Sequence, residues 1–558
     1  MVGFSTTPSN SLLDILKVAI PVGVGLASIA YLGTKLAGNS EKGGFSKDKS
    51  IPFVPIREGD ATHDAEFDED PDEFLRRCEQ TYGPVFNLRV FNQNLTCVSG
   101  PVYIRELFGN EDLSFTDSLD ALTAWYTFSA SVRKSNNNPD NPNPHHVVKD
   151  AISPNMALYT PRIVQRMEDV IDLHLGHCEN KVIDNAAFVA TEMTAAAMAD
   201  VYMGSALAKE RKIINSFIQC TYDFGMMLNL HHHRSLWSIL TNRLNYGVVN
   251  PLQKHVQILK EAAEIVLQER SDLEAEALRF GKEYKKPVDI MQSMTDNASK
   301  YGYHDMEDLM GHLLILVLAS VHTTTVAVSS LIYYFGAFPE YIEPLFEEVQ
   351  EALDQQTADN DELRQAKLSA GEVSSLAEFE GTDLDPKNDR ALTEKVVRKL
   401  VKMNSFVRET FRYQVKRLFG AHLARKDVAL SNGMRITRGA TAMANVTSVH
   451  FNEELQGEET AEFRPFRFVG KSKNANKASV DMLQFGMGRH ACPGRFLAVH
   501  EIVIAGALIV SKYSKIEIQN KALTKMMLLD TLGMTPPSPI IFTSRGVKPV
   551  ALENAPLL

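Results

Sequence analysis

The chain has 558 residues, 44% of them hydrophobic and 23% charged, which is ordinary for a globular protein. A formal net charge of −11 and a pI near 5.9 exclude an overall basic footprint for nucleic acid. Five cysteines, Cys78, Cys97, Cys178, Cys220 and Cys492, are too sparse for a disulfide framework, form no CxxC zinc pair and indicate a reducing compartment.

Length alone would allow several domains, yet nothing in the middle reads as a linker. The N-terminus is distinct. Residues 12–33 read LLDILKVAIPVGVGLASIAYLG, with no charge from Val18 to Leu32. Leu12, Leu13, Ile15 and Leu16 extend the run toward spanning length. Asp14 and Lys17 lie near its end, where a long side chain can snorkel. A cleaved signal peptide is the rival, but the run is long and no clear small-residue cleavage site follows. Residues 1–34 are expected to be an uncleaved anchor. Lys35, Lys42, Lys47 and Lys49 follow it, which places the body in the cytosol by the positive-inside rule. Pro52 and Pro55 stiffen an expected hinge over 35–58.

The body, 59–558, reads as one large mostly α domain with small β-sheets. An acidic stretch from Asp60 to Asp72 precedes PDEFLRRCEQTYG, an amphipathic helix stopped by Gly83. VFNLRVFNQNLTCVSG alternates twice and predicts a hairpin. Residues 133–144 form a polar loop rich in Asn and Pro. Helical patterns fill 145–355. The polar, acidic stretch 356–392 predicts a surface insertion, and a helix over 393–413 follows. Short strands over 427–444 surround a turn at Ser431-Asn432-Gly433. Beyond Cys492 comes a helix to residue 512, then strands and turns. There is no internal repeat.

Three stretches carry chemistry. GHLLILVLASVHTTTVAVSSLIYYF (311–335) is apolar except for Ser320, His322, Thr323 and Thr324 at its middle. Polar groups there need partners, and back-bonding to i−4 carbonyls is the ordinary one. VRETFRYQ places Glu409 and Arg412 on one helix face, an arrangement that at a surface contributes little. QFGMGRHACPGRFLA (484–498) puts Cys492 just before a helix, where free N–H groups and the dipole stabilise a thiolate. Pro493 suits a first helical position. Gly488 and Gly494 let the backbone approach a flat ligand, and Phe485 could pack on that ligand or on the thiolate edge. A buried free cysteine is the plainer alternative.

Phe485, Gly488, His490, Cys492 and Gly494 together resemble the haem-binding loop of the cytochrome P-450 superfamily. His490 stands where that family usually has arginine, and filamentous-fungal members share the GRHACPGRF wording. The resemblance implies haem b, with Cys492 as the metal ligand and His490 at a propionate. It makes Glu409 and Arg412 the family's E-x-x-R pair, completed by Arg467 or Arg464 from FRPFRF (463–468). It implies a propionate contact at His422, five before Asp427, and another at His145 or His146 in NPHHVVKD; the latter two also suit a solvated helix start. The long helix resembles the oxygen-binding helix, with serine for its glycine at Ser320 and His322 for its acid. Thr323 would then direct protons, with Thr324 beside it and His322 supporting a water chain.

The implied function is a monooxygenase at the endoplasmic reticulum membrane, using O2 and NADPH through a diflavin NADPH-cytochrome P-450 reductase, with cytochrome b5 as a further candidate partner. Arg489, Arg495, Lys471, Lys473 and Lys477 are docking candidates or a solvated loop. Pocket candidates by family analogy are Leu119, Leu122, Trp125, Tyr126 and Phe128; Phe224, Met226 and Met227; Leu314, Leu318 and Ala319; Phe419, Gly420 and Ala421; and Met534 to Pro537 with Thr535. Each could equally be core. Their apolar character suits a bulky lipophilic substrate, a steroid or terpenoid before a fatty acid. The rival readings are a reductase-independent isomerase or dehydratase and a haem carrier. His231, His232 and His233 read as a loop near the membrane or an access channel.

Overall fold

The computed structural model describes residues 51–90, 93–123, 132–133, 143–228, 251–414, 417–520 and 538–546. The anchor, most of the Asn/Pro-rich loop and the histidine triplet lie outside these residues. In the expected hinge, Phe53 bridges Asn87 and Ile51 and Val54 are buried, so residues 51–54 lie along the first strand.

Helices α1 (Asp64–Glu69) and α2 (Pro71–Tyr82) come first. Asp70 caps α2 by accepting from Glu73 N–H, and Gly83 ends it at φ 86°, a left-handed region open to glycine. Strands β1 (Val85–Val90) and β2 (Gln93–Val98) pair antiparallel from Val85↔Val98 to Val90↔Gln93, as the alternation predicts. Then come α3 (Pro101–Gly109), β3 (Leu113–Ser114) and α4 (Phe115–Thr123). Helix α5 (Asn143–Val147) runs into a π-turn over Val148–Ile152. After it lie α6 (Met156–His174), β4 (Lys181–Ile183), α7 (Ala186–Met203), α8 (Arg211–Leu228) and α9 (Gln253–Arg279). Short α10 (Ile290–Asp296) and α11 (Ala298–Tyr301) lead to α12 (Met306–Ala337), 32 residues long.

Helix α7 is alanine-rich and buried on nearly every side, the pattern of a helix inside a core. It packs on α6 and α12, and α12 also meets α8, α9 and α18, defined below. Among the described residues α12 is the one helix apolar and long enough to cross a membrane, but two-thirds of its most apolar window is buried in the protein.

The expected insertion over 356–392 is corrected. Helix α13 (Ile342–Ser369) continues through it. Arg364 lies inside, donating to both Asp389 carboxylate oxygens at 2.9 and 2.7 Å and to Leu384 O at 2.9 Å. Only the segment after Ser369 is irregular. The single helix expected over 393–413 is two, α14 (Glu394–Lys399) and α15 (Val401–Gln414), parted at Leu400, whose ψ is 73°. Strands β5 (Leu418–Ala424), β6 (Val428–Ala429), β7 (Arg435–Ile436) and β8 (Thr441–Asn445) follow, with short α16 (Thr447–His450) and α17 (Glu453–Gln456) behind them. Helix α18 (Arg495–Lys512) begins two residues after Pro493, which sits in the preceding turn. Strands β9 (Tyr513–Ile518) and β10 (Ile540–Ser544) close the described chain. One sheet has the order β1-β2-β8-β5-β3, with β2 and β8 parallel; a second is β4-β10-β9, and β6 pairs with β7.

Candidate active site

Glu409 and Arg412 on α15 are both fully buried. Arg412 donates to the two carboxylate oxygens of Glu409 at 2.8 Å each. Its other contacts are His450 O at 3.0 Å, Thr460 O at 2.9 Å and Glu462 O at 3.1 Å. Of the two arginines open as a third member, Arg467 brings its side chain, donating to Glu409 at 3.2 Å. Arg464 contributes only its backbone N–H, at 2.9 Å, and turns its guanidinium to Glu459. Two charges inside the protein require this many bonds.

The pair is tied to the cysteine loop through a residue the sequence reading passed over. Leu483 N–H donates to His450 Nε2 at 3.0 Å, so Nδ1 carries the ring proton and donates to Arg412 O at 3.2 Å. The loop starts two residues on. Gly486 and Gly488 adopt φ of 64° and 66°, and a Cβ on Gly488 would press to 3.3 Å from Phe108 O. Cys492 N–H donates to Phe485 O at 2.8 Å, and the Phe485 ring meets Phe411 edge-on at 5.6 Å. A Cβ on Gly494 would sit 3.9 Å from Cys492 Sγ. Burial pushes the Cys492 thiol up; the backbone N–H groups of Gly494 and Arg495 and the Arg495 charge oppose it. These donors point at the sulfur and suit a thiolate.

His422 on β5 is fully buried. Its Nδ1 bonds Gly420 O at 2.6 Å and its Nε2 has no protein partner. Burial, with His490 adding to it and the Gly420 carbonyl opposing, pushes it down to about 4. A buried ring nitrogen without a partner is costly; an acidic group placed beside it would satisfy it. Gly420 has φ 65°, and a Cβ there would strike the Phe108 ring at 2.7 Å. His490 is half-buried and acts on His422, whereas His145 and His146 are exposed on α5.

The middle of α12 is open on one side. Ala319 and Thr323, four residues apart and so on one face, are exposed, while Leu318, Val321 and Thr324 are buried. Thr323 Oγ1 donates to Ala319 O at 2.7 Å and Ser320 Oγ to Val317 O at 3.2 Å, the back-bonding expected of such hydroxyls. His322 is pushed down by burial.

Of the pocket candidates, Leu314, Leu318 and Ala421 are buried, and Leu119, Phe224, Phe419 and Gly420 are half-buried. Trp125, Tyr126, Phe128, Thr535 and the rest of Met534 to Pro537, together with the side chains of Leu122, Met226 and Met227, lie outside the described residues. Among the docking candidates, Lys471 and Arg489 are exposed, while Lys473 is engaged by Asp481 at 2.8 Å and Arg495 by Cys492 O at 2.8 Å. Sequence reasoning also missed Tyr202 and Glu501; the available signal was a carboxylate inside the apolar run of α18.

No cluster of three or more His, Cys, Asp and Glu side chains able to hold a metal exists among the described residues. One cradled thiol, glycines that leave room for a flat face, and a buried imidazole lacking an acidic partner instead fit a metal macrocycle that brings its own ligands and carboxylates.

A family model described as Cytochrome P450 matches residues 62–369 and 385–543. Cytochrome P450 monooxygenase 151 of Postia placenta is 25% identical over 479 residues, covering 83% of this chain and 86% of its own. Cytochrome P450 monooxygenase paxP of Penicillium paxilli is 24% identical over 415 residues, 72% of each chain. Cytochrome P450 monooxygenase AN1598 of Emericella nidulans reaches 29% over 250 residues, 43% of this chain and 40% of its own.

Proposed function

The chain belongs to the cytochrome P450 family as a monooxygenase of the fungal type, and on that premise we propose that it hydroxylates a bulky lipophilic substrate, a steroid or else a terpenoid, at the endoplasmic reticulum membrane. The family's cofactor is a haem-thiolate, which when bound supplies oxygen activation, the thiolate favouring O–O cleavage. Cys492 is the proposed ligand. The observation that carries this reading is its sulfur, set at the head of α18 toward the N–H groups of Gly494 and Arg495, on a loop fixed through His450 to the buried Glu409–Arg412 pair.

His422 and His490 are the proposed partners of the haem propionates; a carboxylate beside His422 Nε2 would offset the burial that now disfavours its charged form. Thr323, on the open face of α12, is proposed to hold and pass protons. Its hydroxyl bonds a carbonyl one turn back and can rotate to a water. His322 and Thr324 support it. Leu318, Ala319, Phe419 and Gly420, with Trp125, Phe128 and Thr535, are proposed to shape an apolar pocket. Such a pocket positions a lipophilic molecule and excludes water. Electrons would come from NADPH through a diflavin reductase, with cytochrome b5 as a candidate second donor, and residues 1–34 would anchor the chain.

The test is a product assay. Cells producing the full chain and a fungal reductase are split into membrane and soluble fractions. Each receives NADPH and a panel of steroids, diterpenes and fatty acids. A steroid or diterpene heavier by one oxygen, formed by the membrane fraction, is the expected outcome. Oxygenated fatty acid alone would overturn the substrate class. Haem bound but NADPH idle would favour the isomerase reading.

A further inference from the structure

Glu501 lies in the middle of α18, fully buried, and neither carboxylate oxygen has a protein partner. An ionised carboxylate so placed would be expensive, and the group keeps its proton instead; burial pushes it well above the usual carboxylate range. The group that feels it from α7 is Tyr202, itself 2% exposed. The Tyr202 hydroxyl bonds the Ser320 hydroxyl on α12, and Cys492 also acts on it. Ser320 is the next residue after Ala319 on the open stretch of α12, and its own proton points to Val317 O. The donors therefore run in one direction, from α18 through α7 into α12. The same stretch of α12 carries His322 and no carboxylate.

We propose that Glu501 is the internal acid that feeds protons to α12 by way of the Tyr202 and Ser320 hydroxyls. The inference rests on the proposed oxygen-reducing function of the open face. In each transfer only O–H bonds break and form. Glu501 gives its proton to the Tyr202 oxygen, Tyr202 passes its own to Ser320 Oγ, and the Ser320 proton leaves for a water beside Thr323. The Glu501 carboxylate then regains a proton from solvent. Glu501 acts through other groups, so it is a positioning residue.

The test uses the haem-loaded full chain. Its infrared spectrum should show the carbonyl band of a protonated carboxylic acid, shifted in D2O and lost in Glu501→Gln, which keeps size and hydrogen bonding but has no acid proton. With reductase and NADPH, water-forming oxygen turnover should fall about ten-fold in Glu501→Gln and in Tyr202→Phe, while thermal unfolding of both variants stays close to that of the parent. If the parent lacks the band, or Glu501→Gln loses it with turnover intact, the proposal is wrong. A carbon monoxide spectrum without a thiolate signature would instead remove the functional reading, and this inference with it, even where the band is present.

Discussion

Arg412 uses all five of its N–H donors, three on backbone carbonyls and two on Glu409. The E-x-x-R spacing is legible in the sequence; that both charges lie at zero exposure is not, because burial comes from segments 40–60 residues away folding over them. Removing one partner strands the other charge. Arg412→Ala is expected to cost about 3–5 kcal/mol and to lower haem occupancy, since His450 and Leu483 carry the disturbance to the loop. Denaturant unfolding and haem content check both. His500 makes a different prediction. Its Nε2 bonds Thr160 Oγ1 at 2.8 Å, and burial, with the Arg398 charge adding to it, pushes it from 6.5 down to about 4. Above pH 6.5 the ring is neutral folded or unfolded. Between 6.5 and about 4 only the unfolded chain takes up the proton, so stability falls as pH falls, by roughly 3 kcal/mol in total. His500→Gln should flatten that acid limb by about one proton, as read from unfolding free energies across pH.

Helix α12 is the element the sequence describes best, because an apolar run with polar residues only at its middle has few ways to fold. What the run hides is how closely its neighbours approach. A Cβ on Gly311 would lie 1.7 Å from Val132 O. Gly311→Ala must therefore push α12 and residues 132–133 apart, and is expected to lose about 1–3 kcal/mol, with a lower unfolding midpoint as the measurement. Helix α13 shows the converse failure. Its second half is polar and acidic, which suggested a loop. Yet Gln355 bonds Asp359 one turn on, at 2.6 Å, and Arg364 pairs with Asp361 within the helix and Asp389 beyond it. A polar helix held by such pairs lacks the apolar period that marks helices in sequence. The family match breaks off over 370–384, which is where the irregular chain begins. Strand β5 was missed because its glycine at φ 65° and its bulge between Phe419 and His422 interrupt the alternation.

Across the whole molecule, the order of motifs was legible and their convergence was not. The long helix, the E-x-x-R pair and the cysteine loop follow one another over 311–500, and the fold brings them to one place by packing α12, α15 and α18 together. His422 enters from the five-stranded sheet and Tyr202 from α7, on elements that no local pattern links to the loop. The central claim is that this convergence builds a centre around Cys492. The most direct measurement is the carbon monoxide difference spectrum of the reduced, haem-loaded full chain beside Cys492→Ser. The account predicts a thiolate signature in the parent and its loss in a folded variant. A signature that survives in Cys492→Ser would contradict it.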